Sequence, residues 1–125
     1  MARADVARLK SVMRWLMGVL FVMAGVNHFV QPGFYVRLMP PYLPWHLSLV
    51  YASGVVEIAL GVALVVPKVS KRAAWGIIGL LVIFLTVHVH MLVHAEEFPK
   101  VHVSLLWGRL ALQGLLITWA YWFTK

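Results

Sequence analysis

Four apolar segments, near Val12–Val30, His46–Val66, Ala73–His94 and Val103–Phe123, take up most of a chain of 125 residues. Each is about the 20 residues that a helix needs to cross ~30 Å of hydrocarbon. Backbone polar groups in lipid must be satisfied within the spanning element, so such segments can become only helices. The expected fold is all-α: one integral membrane four-helix bundle over residues 1–125, with no soluble domain, long linker, low-complexity tail or internal repeat. Composition agrees, since 62% of the residues are hydrophobic and four acids stand against eleven Lys and Arg. A soluble domain would expose more charge.

The basic residues set the orientation. Arg3, Arg8, Lys10, Arg14, Lys68, Lys71, Arg72 and Lys125 fall on one side of the segments, Arg37 and Lys100 on the other. The positive-inside rule then predicts an N-in, C-in protein of the cell membrane, with a bacterial inner membrane as its expected site. The length of the first segment and its lack of a small-residue cleavage site argue against a signal peptide. Five tryptophans, Trp15, Trp45, Trp75, Trp119 and Trp122, stand near segment ends as an interfacial belt would place them. The excess positive charge is a topology and headgroup signal, and nucleic acid is not an expected partner.

The connections are unequal. Pro67 to Arg72 and Ala95 to His102 are short turns, whereas Gln31 to Trp45 is a long outer loop between the first two helices. It carries Phe34, Tyr35, Leu38, Met39, Tyr42 and Leu43 among four prolines. A short interfacial helix over residues 33–39, broken by Pro40-Pro41, would bury those side chains and form a lid; an interfacial anchor without gating is the plainer alternative. Gly18, Gly25, Gly54, Gly61, Gly76, Gly79 and Gly108 recur on the helices, where small residues let backbones approach closely.

Two strongly charged residues lie well inside apolar segments, Glu57 and Arg109. Such residues are expensive in lipid unless paired or wetted, so they are functional candidates. At 1.5 Å per residue, Glu57 lies roughly 18 Å from the outer end of its segment and Arg109 roughly 12 Å from the outer end of its own. These depths permit a direct ion pair, with Gln113 one turn beyond Arg109 to satisfy remaining groups. As a structural element the pair would set helix register; as a working site, Glu57 would accept protons and Arg109 would hold an anionic or carbonyl-bearing ligand.

Five histidines can reach the outer side: His28, His88, His90, His94 and His102. His90 and His94 share one helix face at i,i+4, a workable metal-ligand spacing with Met91, Glu96 and Glu97 as accessories, and His28 with His90 could bracket a haem. The milder reading is a polar vestibule of Asn27, His28 and His88. The chain has no cysteine, which excludes thiolate chemistry, iron–sulfur ligation and disulfides within it. No nucleophile triad or phosphate-binding loop can be assembled, and Ser53, Thr86 and Ser104 read as hydroxyls bonded to helix carbonyls.

The runs Gly25–Phe29 (GVNHF), Met39–His46 (MPPYLPWH), Tyr51–Gly61 (YASGVVEIALG) and Leu106–Gln113 (LWGRLALQ) together resemble the DoxX-like family of small four-helix membrane proteins. The resemblance implies an interior polar site at Glu57, Arg109, Gln113 and the His28 region, with His88 standing where an asparagine is expected. It also implies association with membrane oxidoreductases, including thiosulfate:quinone oxidoreductase, or, among distant relatives, assembly of membrane receptors.

The expected function is thus a membrane subunit that binds a quinone or similar small apolar ligand and supports an oxidoreductase complex. Glu57 and Arg109 are its catalytic candidates, and His28, His88, Gln113 and Tyr42 its ligand-binding candidates. A non-catalytic scaffold or assembly chaperone is one alternative; haem or metal binding through the outer histidines is another. The expected partners are the lipid bilayer with an oxidoreductase, a membrane client or a second copy of the chain.

Overall fold

The computed structural model describes residues 2–38, 44–94 and 103–125. They form helices α1 (Arg3–Val30), α2 (Pro32–Leu38), α3 (His46–Leu64), α4 (Ser70–Val93) and α5 (Val103–Trp122), with no strand among the described residues. The protein is all-α. Three of the helices, α1, α3 and α4, are long and apolar enough to cross a membrane, which is compatible with a multi-pass membrane protein.

α1 and α4 extend beyond their apolar segments. α1 starts nine residues before Val12, so Arg3, Arg8 and Lys10 are helical residues. Alanine, arginine, leucine and lysine favour helix whether or not they are buried, and hydropathy is blind to that preference. At 28 residues α1 is roughly 42 Å long, more than the hydrocarbon thickness, which lets its charged first turns stand clear of the lipid. The expected short helix over 33–39 corresponds to α2 at Pro32–Leu38, while Met39–Leu43, with Tyr42, lie outside the described residues.

α1 packs most extensively on α3, and α4 on α5. The α1–α3 contact rests on two glycine pairs. A Cβ on Gly18 would stand 2.8 Å from the Gly61 carbonyl oxygen, and one on Gly25 would stand 2.6 Å from that of Gly54. Backbones this close leave no space for a side chain between them. The helices run antiparallel, so the two pairs fix both their distance and their register.

At the end that holds both chain termini, Met17, Phe21, Leu64, Ala74, Ile77 and Ala120 form an apolar core drawn from all four long helices. The Lys10 ammonium donates to the Lys125 carbonyl at 3.0 Å across the same end. The outward faces carry large apolar side chains, with Met23, Val30, Ile83, Val93, Trp107 and Leu115 all at least 60% exposed. Such a surface would drive aggregation in water and is the natural exterior of a helix bundle in lipid.

Candidate functional site

The glycine register brings His28, three residues beyond Gly25, against the α3 segment that begins four residues before Gly54. The ring Nδ1 of His28 lies 2.9 Å from the Val50 carbonyl oxygen and 3.0 Å from Ser53 Oγ. The Ser53 hydroxyl itself donates to the Val50 carbonyl at 2.9 Å. On the other side of the ring, His28 Nε2 stands 2.8 Å from Glu57 Oε2. Both side chains are buried.

A carbonyl oxygen can only accept, so the short Val50 contact assigns a proton to Nδ1. Glu57 then faces the nitrogen whose protonation is left to vary, which is how a second partner selects the working nitrogen of a histidine. Above the ring, Tyr35 of α2 packs with its centroid 4.0 Å from that of His28. The Asn27 amide donates to the Tyr35 hydroxyl at 2.6 Å, tying α2 to the end of α1.

These groups open on a cavity of about 420 Å³ whose lining is mostly apolar, with Leu49, Leu80, Ile83 and Phe84 beside His28, Ser53 and Glu57. Arg109 enters the same cavity from α5, and His88 from α4. Its size and its few convergent polar groups suit a small-molecule site.

The expected Glu57–Arg109 ion pair does not form. Glu57 is turned toward α1 and takes His28, whereas Arg109 Nη1 reaches the Met91 sulfur of α4 at 3.9 Å. The reason is rotational: Glu57 shares its helix stripe with Gly54 and Gly61, the residues that approach α1. α5 packs on α4 instead. Gln113 is buried, and its amide donates to the Leu81 carbonyl at 2.9 Å, so it joins α5 to α4 and lies off the cavity lining.

The His90 and His94 rings stack at 4.4 Å, but among the described residues no three His, Asp or Glu side chains are grouped to hold a metal. Nor does His28 offer a free ring nitrogen to a haem, because Val50 and Glu57 engage both. His102, Glu96 and Glu97 lie outside the described residues, as does Tyr42.

The family model for a domain of unknown function, DUF8561, matches residues 17–124. The chain belongs to the DUF8561 family. The match takes in both glycine pairs, His28, Glu57, His88 and Arg109. No curated protein and no solved structure matches this DUF8561 chain.

Two cavity residues of this DUF8561 chain escape a reading by hydropathy and charge. Ser53 reads as a plain helix hydroxyl, yet it also touches His28; the available signal is its i,i+4 spacing with Glu57 on one face of α3. Tyr35 reads as one aromatic among several in the outer loop, and only the turn between α1 and α2 folds it back over His28.

Proposed function

We propose that the cavity binds a quinone or a similar small apolar ligand with an oxygen-bearing head group, and that the chain is a DoxX-like membrane subunit supporting an oxidoreductase partner. The observation that carries this reading is the His28–Glu57 pair opening on an apolar cavity that Arg109 also lines. The lining fits a ring system, and His28 and Glu57 together can give or take one proton at Nε2 and Oε2. Arg109 supplies donors for a ligand oxygen. A bound quinone would supply the two-electron chemistry, and its electrons would come from the partner, since this chain has no thiol.

In this reading α5 is a fourth span, both termini are cytoplasmic, α2 closes the outer end of the bundle, and the membrane is a bacterial inner membrane. The unequal distribution of basic residues and the shared end of the two termini support that orientation.

The test is mass spectrometry of lipids extracted from protein purified in mild detergent, with a Val87→Trp variant as comparison, since Val87 lines the cavity and a tryptophan there would fill it. Retention of quinone by the wild type and its loss in the variant is the expected result. A stable client protein with no retained ligand in either sample favours the scaffold reading instead.

A further inference from the structure

The charges around the cavity do not balance. Nδ1 of His28 carries a proton because it faces the Val50 carbonyl at 2.9 Å. Lone pairs on Nε2 and Oε2 would repel at 2.8 Å, so a second proton lies between them. On either atom, it leaves His28 and Glu57 with no net charge between them. Arg109 stays protonated at any physiological pH. Its hydrogen-bond partner among the described residues is the Met91 sulfur at 3.9 Å, a weak acceptor, and no described carboxylate pairs with it. The described lining thus holds one fixed positive charge and no compensating negative one.

A half-buried guanidinium facing an apolar lining is costly unless something pairs with it. Its planar fork matches two oxygens of one anion better than a single neutral carbonyl. We infer that the head group of the ligand is an oxyanion that offers two oxygens, seated on Arg109 while its apolar body fills the cavity. His88, on the same lining, is a second donor within the site. The inference rests on the cavity being the ligand site and narrows that reading to a charge class.

The probes are 2-naphthoate and its neutral counterpart 2-naphthamide, two fused rings of near-equal shape that differ in charge. Binding to the detergent-solubilised full chain is measured by equilibrium dialysis, with empty micelles as the blank. Naphthoate should bind at least about tenfold more tightly than naphthamide, the ratio expected of a charge-assisted bond. Arg109→Met should remove the preference and Arg109→Lys should keep part of it.

Equal binding of the two probes by the wild type overturns the oxyanion and leaves the cavity standing as a site for neutral ligands. Failure of both probes to bind overturns the cavity itself as the site, and this inference with it. The wild-type comparison needs no variant, so a misfolded Arg109→Met does not blunt it. Displacement of naphthoate by phosphatidylglycerol would assign the oxyanion to a lipid headgroup; indifference to it assigns the site to a free organic acid.

Discussion

His28 on α1 and Glu57 on α3 meet at 2.8 Å, and the meeting depends on two helices whose backbones touch through Gly25 and Gly54. Ring orientation and helix contact are one arrangement. The same close approach brings the Val50 carbonyl within 2.9 Å of the ring, so packing determines which nitrogen faces the carboxyl group.

Removing either member of this pair strands the other in a buried site. The coupling in a double-mutant cycle of His28→Leu with Glu57→Leu should be about 1–3 kcal/mol, read from reversible unfolding in mixed micelles. The matching cycle of Glu57→Leu with Arg109→Leu should be additive within about 0.5 kcal/mol. Strong coupling in the second cycle and none in the first would restore the pairing that charge and depth alone suggest.

Gly54→Ala should destabilise the protein by about 1–3 kcal/mol, as overpacking does where nothing can yield. Its new Cβ would stand 2.8 Å from the His28 Cβ and 2.9 Å from the Gly25 carbonyl oxygen. Gly79→Ala has open space around it and should be neutral or slightly stabilising, because alanine is the better helix former. Comparable losses at both positions would mean that the α1–α3 contact is not the close one described.

Gln113→Leu should lower stability by about 1 kcal/mol, the usual net worth of one hydrogen bond, and leave probe binding unchanged. Its amide bonds to the Leu81 carbonyl and lies off the cavity lining. A large fall in naphthoate affinity in this variant would move Gln113 into the site.

The chain has no cysteine, so single cysteines report topology without background. Lys71→Cys and Gln31→Cys, both at exposed positions at opposite ends of the bundle, should label with a membrane-impermeant maleimide from opposite faces of sealed vesicles, Lys71 from the cytoplasmic one. Ser70 is a poor reporter because its side chain is buried. Labelling of Gln31→Cys from the cytoplasmic face would invert the orientation.

Sequence alone determined that the chain is all-α and roughly where its apolar helices lie, because a long apolar run has few other ways to satisfy its backbone hydrogen bonds, but it did not show that α1 begins at Arg3. It also singled out His28, Glu57, His88 and Arg109, since polar side chains in apolar segments stand out by composition. Position along a helix axis follows from counting residues. Rotation about the axis does not, and at 3.6 residues per turn a neighbouring position faces another direction. The tertiary structure decided that rotation. With Gly54, Glu57 and Gly61 on one stripe of α3, and Gly18, Gly25 and His28 on one stripe of α1, the backbone contact presses the two stripes together. Glu57 is consequently held by His28, and Arg109, carried on a helix packed against α4, stands in the cavity without a carboxylate partner among the described residues.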